Sequence, residues 1–154
     1  MNVKYLFPAS LIVVATLASY AQWQSPTDTT PAYFEILPTK AERQQPILHG
    51  KQLTGQYFAH SYQVGTYKDA AKVADRLYLM PCYCRCDRAE SHKSLHSCFE
   101  DTHGAVCATC MREATYVYQM TRQGWSVAQI RAGIEKGEAE HIDLKKIYPE
   151  VATR

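Results

Sequence analysis

All six cysteines of this chain, and three of its six histidines, fall between Pro81 and Cys110. No other feature restricts the fold as much, because thiols and imidazoles gathered in one short window must either converge on a metal ion or be stapled to one another. Both side-chain types are donors that soft and borderline metals prefer. The first cluster, Pro81-Cys82-Tyr83-Cys84-Arg85-Cys86, has C-x-C-x-C spacing. In an extended run that spacing puts three sulfurs on one face, with Tyr83 and Arg85 on the other. Neighbours two apart in such a run sit near the upper limit of Cα separation that a disulfide accepts, so joining them would strain the loop. Cys107 and Cys110 are three apart in what reads as the first turns of a helix. They therefore share a face, near a helix N-terminus that favours the thiolate.

Six cysteines in 154 residues fall well short of the roughly 8–10% of a small disulfide scaffold, so packing must supply the core. A formal charge of +2 without a basic run gives no reason to expect a nucleic-acid partner.

The chain divides by composition into four stretches. Met1 to Lys4 is a short cationic head and Tyr5 to Ala21 is almost wholly apolar around Leu11-Ile12-Val13-Val14, which reads as an export signal over 1–21. Ser19-Tyr20-Ala21 offers small residues to a signal peptidase, while the apolar run nearly spans a bilayer if left uncut. Residues 5–21 are thus a cleaved leader or a membrane anchor, and in both cases the remainder is exported, to the periplasm or the extracytoplasmic face of the membrane. The leader ends without a cysteine for lipid attachment and has no paired arginines, which disfavours export of a pre-folded, cofactor-loaded protein. Residues 22–50, punctuated by Pro26, Pro31, Pro38 and Pro46, read as an extended linker. Its apolar patch, Tyr33-Phe34-Glu35-Ile36-Leu37, is suited to docking on the domain or on a partner. Residues 51–140 form the cysteine-rich domain, and 141–154 a tail, loosely held past Gly137.

Within the domain the periodicity predicts an all-α fold with a cysteine-rich loop between helices. Ala70, Val73, Ala74 and Leu77 place a helix near 66–80, stopped by Pro81. Residues 92–99 predict a short helical turn carrying Cys98, with His92 and His96 on one face. Asp101-Thr102 caps a helix over about 104–122 that Gly124 ends, and Cys107, Cys110, Ala114, Val117 and Thr121 form its inward stripe. Ser126-Val127-Ala128-Gln129 has the form of a capping box opening a last helix.

The string Pro-Cys-Tyr-Cys-Arg-Cys at 81–86, followed by His92-Lys93-Ser94-Leu95, Cys98-Phe99, His103, Cys107 and Cys110, resembles the PCYCGC-motif family of exported bacterial proteins. The likeness runs on through Glu113-Ala114 and Gly124 to Arg131 and covers roughly 60–140. Arg85 stands where the motif has glycine, and Ser91 precedes His92 where glycine is usual, changes that bear on a tight turn rather than on the ligands. The resemblance implies an exported or membrane-attached protein with a cysteine-rich site and brings no settled activity with it.

For the site itself the donor set favours a metal. Cys82, Cys84, Cys86, Cys107 and Cys110 lead as ligands, then Cys98 and His92, then His103 and His96. Copper comes first in an exported protein, because thiolate and imidazole suit Cu(I) and the Irving–Williams order places copper above zinc, the second choice. So many donors exceed the needs of one tetrahedral ion, which predicts two ions or a split between ligands and one disulfide. Storage, delivery and electron transfer all fit such a site. The alternative is a disulfide-stapled accessory or interaction subunit of a membrane-associated complex, with fifteen pairings that sequence cannot separate. A thiol–disulfide oxidoreductase using Cys107 and Cys110 is the minor reading, since the strand–helix alternation of a thioredoxin-like fold is missing. Otherwise nothing marks an enzyme, and Met111 after Cys110 removes the histidine of a haem attachment motif. The expected partners are a larger membrane complex or a metal-receiving protein.

Overall fold

Cys110, Ala114 and Val117, spaced i, i+4 and i+7, are all wholly buried, and they make the helix that carries them the central element of the domain. The computed structural model describes residues 30–150, and among them every regular element is helical. In chain order these are α1 (Ser61–Lys72), α2 (Ala74–Tyr78), α3 (Cys86–Ala89), α4 (His103–Val106), α5 (Ala108–Arg122), α6 (Val127–Glu135) and α7 (Leu144–Ile147). Short 3-10 turns accompany them, including Leu95–Phe99 and Glu138–His141. No helix among the described residues is long and apolar enough to cross a membrane. The export segment at 1–21 lies outside the described residues.

Helix α1 packs on α5 through Thr66, Tyr67 and Ala70, all fully buried. The Tyr67 ring stands edge-on between Phe58 and Phe99, at 5.0 and 4.9 Å, a geometry that aromatic quadrupoles favour. The single helix expected over 66–80 is instead two. Val73 leaves helical geometry (φ −125°) and its N–H takes the Ala70 carbonyl, a break placed at a β-branched residue of lower helix propensity. The helix expected over 104–122 is likewise divided, because Cys107 is extended (φ −113°, ψ 107°) between α4 and α5. The other helix signals correspond to structure. Ser126 and Gln129 form the capping box of α6, and Gly124 takes a positive φ of 82° just past α5.

Two stretches that composition marks as loose are packed onto the domain. In the linker, Pro31 is buried, Phe34 donates its N–H to the Tyr78 carbonyl at 3.0 Å, and Leu48 donates to Phe99 O at 3.0 Å. The Arg131 guanidinium stacks over Tyr33 at 4.1 Å. Prolines lower the entropy lost on ordering such a segment, and its aromatic rings bury apolar area. The tail past Gly137 is also held. Asp143 caps α7, Tyr148 donates its hydroxyl to Asp69 at 2.8 Å, and Glu150 accepts from the Ser61 N–H and hydroxyl. Tyr148 reaches this place because Gly65 offers no Cβ against its ring.

Candidate metal centre

Met80 ends the first helical pair deep in the core, and Pro81 prevents its continuation. The backbone then turns instead of extending. Arg85 N–H donates to Cys82 O at 3.2 Å, and Arg85 takes a left-handed φ of 63° that redirects the chain into α3. The extended C-x-C-x-C face expected from the spacing is therefore a tight turn, because the left-handed residue reverses the chain within one step. The turn still brings sulfurs together: Cys82 Sγ lies 3.3 Å from Cys84 Sγ. Cys86, one residue past the turn, stays within 4.8 Å of both sulfurs and meets Cys98 Sγ at 3.3 Å.

Cys98 is delivered by the 3-10 turn Leu95–Phe99, which is fastened by the Leu95 N–H to Met80 O at 2.9 Å. Close packing fixes it from the other side. A Cβ added at Gly104 would come within 2.7 Å of the Cys98 carbonyl oxygen, so only glycine allows α4 to approach this far. Tyr67 Oη pins the same loop by donating to Asp101 O at 2.6 Å and accepting from the Ala105 N–H at 3.1 Å.

Helix α5 supplies the remaining thiols. Cys110 Sγ lies 3.4 Å from Cys82 and 3.5 Å from Cys84, which completes a triangle of mutually adjacent sulfurs. Cys107 occupies the N-cap position of α5, on the Cys84 and Cys110 side of the cluster. His92 Nδ1 is 3.4 Å from Cys98 Sγ, and the His92 and His103 rings meet edge to face at 4.9 Å. Three overlapping sets of donors result, each with its ligand atoms within 4.8 Å of one another: Cys82, Cys84, Cys86, Cys98; Cys84, Cys98, His103, Cys110; and Cys86, His92, Cys98, His103. Cys98 belongs to all three.

Seven of the nine residues singled out from the sequence fall in these sets, and an eighth, Cys107, stands beside them at the N-cap of α5. The ninth, His96, is directed away. It stacks on Tyr78 at 3.8 Å between ring centres and pairs through Nδ1 with Glu100 at 2.9 Å. The 3-10 turn accounts for this, since His92 precedes the turn and the two imidazoles never share a helical face.

The protonation pattern follows from the crowding. Hydrogen bonds from Cys107 and Cys110 hold the Cys84 thiol far below its ordinary range, and those from Cys110 and Cys82 bring Cys86 down to about 3. Cys110 is pushed up, because it gives its proton to Cys107, Cys82 and Cys84. Burial works to lower His103, but the hydrogen bond with Cys84 and the charges of Cys86 and Cys84 outweigh it and leave the imidazole raised. Its Nε2 is buried without a hydrogen-bond partner, a state that costs free energy unless something else takes the lone pair or proton. Arg85 lies 3.6 Å from Asp87, so part of its charge faces a carboxylate.

Glu113 is the residue at the site that donor counting passed over. It is 3% exposed, its Oε1 accepts the Tyr83 N–H at 2.9 Å, and its Oε2 is buried without a partner. Desolvation raises its carboxyl to about 8 despite the bonds from Cys82 and Tyr83. The signal available in sequence was position, one helical turn beyond Cys110 on the buried stripe of α5.

The donor chemistry fits a metal: soft sulfur and imidazole nitrogen converge, and one imidazole nitrogen is buried unpartnered. A small all-helical domain closed around such a cluster defines a cysteine-rich protein with a candidate metal centre. Residues 55–142 match the family model of proteins of unknown function with the PCYCGC motif, and the chain belongs to that family. Searches of curated proteins and of solved structures found no match.

Proposed function

We propose that this chain is an exported metal-binding protein that holds copper, with zinc as the second choice, in its cysteine–histidine cluster. The observation that carries the reading is the triangle of Cys82, Cys84 and Cys110, with edges of 3.3, 3.4 and 3.5 Å. A disulfide joins sulfurs in pairs and would leave one member of a triangle over, whereas a metal ion takes three or four donors around one point. The edges are also near the ~3.8 Å that a tetrahedron of ~2.3 Å metal–sulfur bonds implies.

Six thiols and two imidazoles amount to eight donors, enough for two four-coordinate ions without sharing. Cys82, Cys84, Cys107 and Cys110 would hold one, and Cys86, Cys98, His92 and His103 the other. Copper leads because thiolates select Cu(I) and copper stands above zinc in intrinsic affinity. These donors would hold Cu(I) out of water, as storage, delivery and electron transfer each require. The apolar segment read as an export signal at 1–21 supports a role outside the cytoplasm, on the membrane if the segment stays uncut, with a metal-receiving protein or a larger membrane complex as the partner we propose.

The test is a thiol count with metal analysis on protein purified from its exported compartment without reductant. Bound copper or zinc with metal-protected thiols is expected. Three complete disulfides and no metal would overturn the reading and leave a stapled interaction subunit in its place.

A further inference from the structure

We infer that metal enters and leaves the cluster by thiolate exchange at Cys84 and Cys107, and that the partner this edge fits is a Cu(I) carrier presenting a thiolate of its own. The inference rests on the metal reading above. It selects delivery from among the uses that reading allows.

The six thiols differ in access. Cys82 and Cys86 are 2% and 3% exposed, and Cys98 and Cys110 not at all. Cys84 and Cys107 alone among them are partly exposed. Cys107 occupies the extended junction between α4 and α5, beside Val106, a residue that is 64% exposed. The rest of the cluster is covered. Pro31 and Ala32 lie over Cys82 and Cys86, held by the Ala32 N–H to Asp87 Oδ2 at 3.3 Å, and the two imidazoles pack against each other beside the Cys86–Cys98 pair.

The donors also form a continuous path inward from that edge. Cys107 stands at the N-cap of α5 on the Cys84 and Cys110 side, the Cys82–Cys84–Cys110 triangle follows, and Cys84 shares two donor sets with Cys98, the member common to all three. A metal received at Cys84 and Cys107 therefore meets successive sulfurs without passing through water. The exchange balances without a redox step. The carrier's thiol gives up its proton as its sulfur bonds the metal, and the sulfur of Cys107 or Cys84 takes up a proton as its own bond breaks. Copper stays Cu(I).

Two measurements test this. Reduced, metal-free protein is treated briefly with limiting iodoacetamide and the modified peptides are identified by mass spectrometry. Cys84 and Cys107 are expected first, and equal or faster modification of Cys86 or Cys98 overturns the inference. Cu(I)-loaded protein is then mixed with reduced glutathione as the thiol acceptor. Cys107→Ser, confirmed folded by circular dichroism and loaded to whatever copper content it retains, is expected to transfer that copper at least tenfold more slowly than wild type. A loaded variant that transfers at the wild-type rate overturns the exchange edge alone, whereas wild-type protein that takes up no copper removes the metal reading and the inference with it.

Discussion

Glu113 Oε1 accepts the backbone N–H of Tyr83 at 2.9 Å, so a buried carboxylate on α5 holds the middle of the first cysteine turn against the helix that carries Cys110. One side chain thereby sets the register between two parts of the cluster that lie far apart in sequence. Its remaining oxygen faces the crowded interior without a partner.

This arrangement makes the stability of the reduced, metal-free protein depend on pH. The Glu113 carboxyl is raised from 4.5 to about 8 in the fold, chiefly by desolvation. Below the unfolded value both states are protonated and the residue costs nothing. Between the two values the unfolded chain releases its proton while the folded one keeps it, so stability falls by up to about 1.4 kcal/mol per pH unit as pH rises. Glu113→Gln removes this share and keeps an acceptor for Tyr83. Urea unfolding from about pH 5 to pH 8 should show the variant gaining on wild type as pH increases; parallel curves would contradict the assignment.

Arg85 and Ser91 are the two non-glycine residues with positive φ among the described residues, at 63° and 58°, and Arg85 stands where the PCYCGC motif has glycine. Left-handed geometry costs an L-residue roughly 1–2 kcal/mol, partly offset by the larger entropy glycine loses on folding. Ser91→Gly should therefore raise stability by about 0.5–1 kcal/mol, read as a higher urea midpoint at unchanged slope. Arg85→Gly should gain less, because it also removes the approach to Asp87.

Gly104 lets α4 lie against the carbonyl of Cys98. Gly104→Ala forces that backbone apart and should destabilise the domain by about 1–3 kcal/mol, as overpacking does. Because the displaced segment bears Cys98, the variant should also expose that thiol, detectable as faster alkylation of Cys98 in the metal-free protein. Unchanged labelling would show that the turn moves as a unit.

The two imidazoles at 92 and 96 should separate by function. His96→Ala removes a ring stacked on Tyr78 and paired with Glu100, and should cost about 1–3 kcal/mol of stability while bound metal per chain is unaltered. His92→Ala removes a donor 3.4 Å from Cys98 and should lower the metal content with little loss of stability. Metal analysis and urea unfolding on both variants check the pair, and a loss of metal in the His96 variant would reverse the assignment.

Several features could be read from the chain because they are local. Hydrophobic spacing along 108–122 reports a buried face wherever the helix sits, and the Ser126–Gln129 box and Gly124 act within a few residues of themselves. The donor types were equally plain, since the chemistry of a thiol does not depend on the fold. The helix breaks at Val73 and Cys107 were not legible. Helical spacing continues through both positions, and only packing against neighbours selects the non-helical backbone there. The ordering of residues 31–48 and 138–150 was hidden for a related reason: proline, charge and polar composition describe a segment's solvation, while docking depends on the surface that awaits it.

The sequence by itself determined that this is a helical chain with its soft donors confined to one window, because periodicity and side-chain chemistry are written residue by residue. Only the tertiary structure decided which donors meet. The left-handed turn at Arg85 sends Cys82 and Cys84 toward Cys110 and sends Cys86 toward Cys98, while the 3-10 turn carries His96 away to Tyr78. Tertiary contact also recruited Glu113, a residue no ligand pattern marks, since convergence in space depends on chain reversals and close approaches such as Gly104 against Cys98 rather than on spacing along the chain.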